Sequence, residues 1–375
     1  MMMKKLTIYL STLTILLTSC VTEYNVDLKD AKSGILVVEG IISSDSTEIQ
    51  LSRSVALDQE LSDDDAVNGA ELFIEDSNGR LTGPFQQKGN GKYFVRTGTL
   101  DQNYKYRLRI ILDNEEYESE FLNPIKTAAI DSITWSKEGK GKPVQIHVNT
   151  HDPTSQSNYY QWSYTEIWEF HAEIFANAGY ENGKLVVYSD LPDSIYNNKY
   201  YCWITNKSKS ILLGTTDLLT ENIIRKKVIK EIDPTDKRLS TLYYIEITQN
   251  QIRKAAYDYF ANIKKNIDES GSIFSPIPTE MQGNIKCVTN KDIQVIGYVD
   301  VSSGAKKELF IPFKGELYEY KPNTTCVESD KQWSGYLLST YDPLLGNSYA
   351  PAQCIDCKIL GGTKNKPWFW PNNHK

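Results

Sequence analysis

Short runs of alternating apolar and polar residues, separated by Gly and Asn, recur from residue 35 onward and commit the chain to β structure. Residues 35–42 read as a buried, β-branched strand, and Ile49-Gln50-Leu51-Ser52 alternates. Residues 67–76 give another strand, closed by Ser77-Asn78-Gly79, and Asn-Gly is a strong short-range hairpin signal. A strand restarts across Gly89–Val95. Residues 104–112 alternate and turn through Asp113-Asn114 into Glu116–Ser119. Strands at this spacing predict a β-sandwich over residues 34–123.

Asn123-Pro124 marks the expected boundary of a second, larger β-rich domain over 124–375. Strands are predicted at 130–135, 144–149, 159–170, 201–204, 243–248, 293–301 and 308–313. One helix is expected at about 248–268, where Ile252, Ala256, Tyr259, Phe260 and Ile263 recur at helical spacing. The fold class is therefore mainly β, a sandwich followed by a β-rich domain carrying one helix. The order of motifs in the first domain, Val67–Asp76 through Gly91-Lys92-Tyr93 to Tyr104–Ile110, resembles the transthyretin-like and carboxypeptidase-regulatory β-sandwiches, so a transthyretin/immunoglobulin-like sandwich is expected. Such modules serve as spacers or docking units, an implication of architecture alone.

The N-terminus carries an address. Lys4 and Lys5 precede an apolar run from Leu6 to Leu17, which falls short of the roughly 20 residues a spanning helix needs and suits a signal-peptide core. Leu17-Thr18-Ser19-Cys20 resembles the lipobox of bacterial lipoproteins, so residues 1–19 are expected to be removed and Cys20 acylated. Two or three acyl chains, at about 0.8 kcal/mol per buried CH₂, make a lasting anchor in membrane lipid. Residues 20–33 read as a polar tether. Val21 follows the cysteine where an inner-membrane retention signal would place Asp, so the outer membrane is the expected destination, in a leaflet the sequence leaves open.

A net charge of −7 with interspersed signs offers no basic footprint, so no nucleic-acid partner is expected. Five cysteines follow Cys20, two of them in the terminal Cys354-Ile355-Asp356-Cys357. A closed zinc site would show a second close pair, and a redox Cys-x-x-Cys opens a helix beside a βαβ unit; neither context is present. Outside the cytoplasm thiols oxidise. Cys354 and Cys357 are expected to pin the tail to two places, with Cys202 and Cys326 as partners and Cys287 as the odd thiol.

His147 and His151 would share a strand face, a conceivable metal pair against the plainer reading of exposed strand-end histidines. Without the catalytic motifs of hydrolases, metalloproteases or nucleotide-binding loops, no catalytic residues, metal or cofactors are assigned. In the strand 159–170, Tyr160, Trp162, Tyr164, Glu166 and Trp168 share one face, while Tyr159, Gln161, Ser163, Thr165, Ile167 and Glu169 share the other. The aromatic face is either core or a stacking platform for a sugar or peptide, with Trp162 and Trp168 at its centre.

Several signatures occur together. Tyr201-Cys202-Trp203, the segment Ala256–Phe260, Gly271–Pro278, Gly283-Asn284-Ile285, Val295–Val299 and the terminal Cys354–Cys357 with Gly361-Gly362-Thr363 and Lys366–Trp370 follow the lipobox in order. Taken together they resemble the envelope lipoproteins grouped as domain of unknown function 4249. That resemblance implies no reaction and no catalytic residues. It implies an accessory role beside a TonB-dependent outer-membrane receptor in nutrient uptake. Trp368 and Trp370 around Phe369 depart from the family's smaller set of terminal aromatics; exposed residues there are candidate contacts for such a partner, against the plainer reading that these rings pack the tail. The competing class is a surface hydrolase acting on a glycan or peptide.

Overall fold

A computed structural model describes residues 34–55, 62–154, 157–188, 199–269 and 283–372. The signal peptide, Cys20, the tether, Gly271–Pro278 and His374 lie outside the described residues.

The first sandwich begins with β1 (Leu36–Ser43), β2 (Asp45–Arg53), β3 (Glu71–Asp76), β4 (Leu81–Thr82), β5 (Gln86–Gly89), β6 (Lys92–Gly98), β7 (Tyr106–Leu112) and β8 (Glu115–Ser119). β3 turns into β4 at Asn78-Gly79, where Asp76 Oδ1 accepts from the amides of Asn78 (2.9 Å) and Arg80 (3.0 Å). Gly79 takes φ 81°, a conformation that glycine adopts without steric penalty. Alternation sends Leu72, Ile74, Leu108 and Ile110 into a core shared with Leu36, Ile49 and Leu51 of the facing sheet.

The second sandwich follows as β9 (Ile130–Lys137), β10 (Val144–His151), β11 (Tyr159–His171), β12 (Ala178–Glu181), β13 (Lys184–Val187), β14 (Tyr201–Lys207), β15 (Leu212–Thr215), β16 (Ile223–Ile232), β17 (Leu242–Ile252) and helix α1 (Lys254–Glu269). Sheet β16-β10-β9 faces the sheet built on β11 and β17, and Val144, Ile146 and Val148 meet Tyr160, Trp162, Tyr243, Ile245 and Ile247 between them. The chain then forms β18 (Ile285–Cys287), β19 (Val295–Gly297), β20 (Asp300–Ser302), β21 (Ala305–Pro312), the hairpin β22 (Tyr336–Thr340) and β23 (Ser348–Pro351), and the single helical turn α2 (Ala352–Ile355).

Three expectations change. The first sandwich does not end at 123: β19 and β20 lie parallel to β1, pairing Leu36 with Val295 and Ile41 with Asp300, and β18 pairs β8. Ile285, Val299 and Val301 complete its core, so the chain leaves this sandwich, builds the second, and returns. The predicted strand 293–301 is correspondingly two short strands interrupted at Tyr298-Val299. The helix starts at Lys254 rather than 248, because Thr248–Ile252 extends β17 against β11. Gln249 and Gln251 are fully buried there and find specific partners: Gln249 accepts from Trp162 Nε1 (2.9 Å), and Gln251 donates to Asp152 (2.7 Å).

The sandwiches interlock where the chain crosses between them. Arg253, between β17 and α1, pairs with the fully buried Asp300 of β20 and donates to the carbonyl of Asn123. Its backbone amide also reaches Asp300 Oδ2 at 2.8 Å. Thr127 shares a hydrogen bond with Ser302 (2.7 Å) and accepts from the Gln251 amide (3.1 Å).

Candidate functional site

One face of the β11–β17 ladder points away from the second core, and its composition changes along its length. Cross-strand register sets Ile167 against Tyr244, Thr165 against Glu246, Ser163 against Thr248 and Gln161 against Asn250. At the apolar end Ile167 and Tyr244 are buried with Trp203, Leu242 and Trp370, so the C-terminal tail covers this part of the sheet. Trp370 Nε1 donates to the buried carboxylate of Glu169 at 2.8 Å. The polar end is not covered by the tail.

That polar end is the floor of a cleft of about 750 Å³ between the two sandwiches. Gln161, Ser163, Thr165, Glu246, Thr248 and Asn250 form the floor, and Ser43, Ser46, Glu48 and Phe94 of the first sandwich stand opposite. The size lies within the roughly 300–1,000 Å³ of small-ligand sites. Lys207 Nζ reaches Glu48 across the gap at 2.9 Å, and Lys306 pairs Glu246 at 3.5 Å. Both ion pairs are at least one-third exposed and contribute about 0–1 kcal/mol each, and only Lys207–Glu48 spans the cleft, since Lys306 and Glu246 lie on adjacent strands of one sheet.

Two groups on this floor are unusual. Gln161 Oε1 and Asn250 Oδ1 are shielded from solvent and accept no hydrogen bond, although most buried polar atoms in folded proteins are paired. Asn250 is only 9% exposed. Gly304, at φ +64°, lies beside it: a Cβ there would stand 2.9 Å from Ser43 Oγ and 3.3 Å from Asn250 Oδ1. The absent side chain leaves room between a residue of each sandwich.

Trp162 borders this cleft, but the rings expected to form a stacking platform are buried. Trp162 is 2% and Trp168 7% exposed, and both belong to the second core, which corrects that reading. Trp162 stacks on Tyr160, and Gly214 closes against its ring so tightly that a Cβ would lie 2.8 Å from it. The Arg238 guanidinium covers Trp168, 4.4 Å from the ring centre, and pairs the fully buried Glu166 at 3.3 Å. Tyr243 donates to the same carboxylate at 2.8 Å; burial, reinforced by that negative charge, holds its phenol well above the usual range. The aromatic face is core, built around one compensated carboxylate.

The histidines do not converge either. The β10–β16 register shifts twice between Ile146 and Thr150, leaving His147 buried and His151 exposed beside Asp131 at 2.9 Å. Among the described residues no group of three or more His, Cys, Asp or Glu could hold a metal ion.

The cysteines come together as Cys202–Cys357 and Cys326–Cys354, with Cys287 free and buried on β18. The Trp203–Thr363 bridge holds the tail one residue beyond Cys202, with backbone hydrogen bonds of 2.9 Å in both directions. Trp370 is 3% exposed within this arrangement, whereas Trp368 is 94% exposed.

The alternation in residues 159–170 defines both faces of β11, and the cleft floor is the less conspicuous of the two. The cleft floor has no local motif. Its only sequence signal is the amide- and hydroxyl-bearing series Gln161, Ser163, Thr165, which becomes a site once β17 and the first sandwich are placed beside it.

A family model described as Domain of unknown function (DUF4249) matches residues 21–308. No curated protein matches the chain. Among solved structures, the chain is similar to the Escherichia coli adhesin FdeC at 14% identity, over 53% of this chain and 62% of that chain, with a TM-score of 0.15. The chain thus spans less than two thirds of the adhesin chain, and a likeness at that score carries no argument.

Proposed function

We propose that this chain, which belongs to the family described as domain of unknown function (DUF4249), is a lipid-anchored envelope protein that binds a polar ligand in the cleft. In this reading it partners a TonB-dependent outer-membrane receptor in nutrient uptake. The observation that carries the binding role is the polar floor of β11 and β17 with its two unpartnered amide oxygens. Leu17-Thr18-Ser19-Cys20 supports the anchor, and the tether supports reach from the membrane. Two proteins held in one membrane meet at high effective concentration, so a modest interface stays occupied. Trp368 offers an exposed aromatic contact on a tail that disulfides hold in place.

Cys20→Ala tests the anchor. The variant is expected to accumulate as uncleaved precursor or to leave the outer-membrane fraction. Mature protein that still fractionates fully with the outer membrane would refute acylation at Cys20.

A further inference from the structure

We infer that the cleft takes a neutral oligosaccharide, and that Gln161 and Asn250 are the residues that read its hydroxyl groups. The inference rests on the reading of the cleft as a binding site and adds the class of ligand.

Two amides on the floor define the ligand's chemistry. They are direct cross-strand neighbours, so their Cβ atoms stand about 5 Å apart on one face. Each carries an oxygen without a donor, shielded from solvent as it stands, so a ligand O–H or N–H relieves it only once the amide turns toward the cleft. The terminal torsion of an amide side chain is soft, and a half-turn exchanges its oxygen with its NH₂ group. Neighbouring hydroxyls on a sugar ring both donate and accept, which matches a pair of groups able to do the same.

Charge and topology narrow the class. The charged residues that line the cleft, Asp45, Glu48 and Glu246 against Lys207, Lys209 and Lys306, balance in sign, and Ser43, Ser163, Thr248, Ser303 and Gly304 add none, which favours a neutral ligand. The floor is a sheet face whose main-chain groups are engaged in the β11–β17 ladder. A peptide commonly gains affinity by adding as a strand to a sheet edge, and this face offers none. Recognition here falls to side-chain amides and hydroxyls, with the partly buried ring of Phe94 opposite as an apolar surface for a sugar ring.

The test uses the full chain purified in a non-glycosidic detergent. It is titrated calorimetrically with neutral hexasaccharides of α- and β-linked glucose, mannose, galactose and xylose, and with an end-capped alanine–glycine hexapeptide. At least one saccharide is expected to bind, and Asn250→Leu and Gln161→Leu are each expected to weaken it about tenfold. Because neither oxygen has a partner to lose, both variants should keep or raise the thermal midpoint, which a structural role for the amides would lower. No saccharide binding overturns the inference. So does saccharide binding that survives both substitutions, binding of the peptide instead, or weakened binding accompanied by a lowered midpoint. Saccharide binding with the expected properties, but with no receptor co-purifying, supports this inference and counts against the receptor partnership.

Discussion

Replacing Cys202 and Cys357 together by alanine is expected to lower the unfolding free energy by about 5 kcal/mol in the chain-entropy model of a cross-link. The bridge joins residues separated by 155 positions, whereas Cys326–Cys354 spans 28. Loop-closure entropy grows with the logarithm of length, so removing the shorter bridge should cost about 1.5 kcal/mol less. Both sulfurs of the longer bridge are fully buried, and Gly362 packs so closely that a Cβ would lie 2.5 Å from that of Cys202. The tail locked there carries Thr363 to its bridge with Trp203 and Trp370 to Glu169. Urea unfolding of the double variant by circular dichroism reads the first consequence, and its tryptophan fluorescence with and without an added Trp370→Phe, which isolates that one of the seven tryptophans, reads the second. A loss below about 1 kcal/mol would show that the tail is held by its noncovalent contacts and that the cross-link adds little.

Arg253→Ala is expected to cost about 3–5 kcal/mol at neutral pH, because it leaves the buried Asp300 without its counter-charge. Burial already holds the Asp300 carboxyl above the ordinary carboxylate range despite the opposing pull of Arg253. An acid whose folded-state pKa is raised binds its proton more tightly folded than unfolded. Its destabilising effect is therefore present above the folded pKa and fades as pH falls through that value toward the unfolded value of about 3.9. Without Arg253 the rise should be larger, so the deficit relative to wild type should shrink on acidification. Denaturant titrations of both proteins between neutral and mildly acidic pH check this. A deficit that stays constant across the range would mean that Asp300 is not the group left stranded. Since Arg253 also holds the carbonyl of Asn123, the variant removes one of the ties between the sandwiches.

The strands of the first sandwich were legible because each is a local pattern with its own turn chemistry, as in Glu71–Asp76 leading into Asn78-Gly79. The return of residues 285–302 to that sandwich was not legible. Period two tells which face of β1 is buried, but not that Leu36 pairs with Val295 on the far side of an entire second sandwich. The helix boundary failed for a related reason. Ile252 fits the helical series, yet the buried hydrogen bonds of Gln249 and Gln251 draw the preceding segment into the sheet. Trp162 and Trp168 drew attention by residue type, whereas the cleft is made by plainer neighbours, Gln161 and Asn250, whose significance depends on partners more than 80 residues away in the chain.

The most direct measurement of the proposed role is affinity purification of the tagged, acylated chain from detergent-solubilised outer membranes, with mass spectrometry of what accompanies it. The expected result is a TonB-dependent receptor recovered in near-stoichiometric amount, retained by Asn250→Leu and lost in Cys20→Ala. Recovery of the acylated chain alone, with nutrient uptake unchanged in a strain lacking it, would contradict the account.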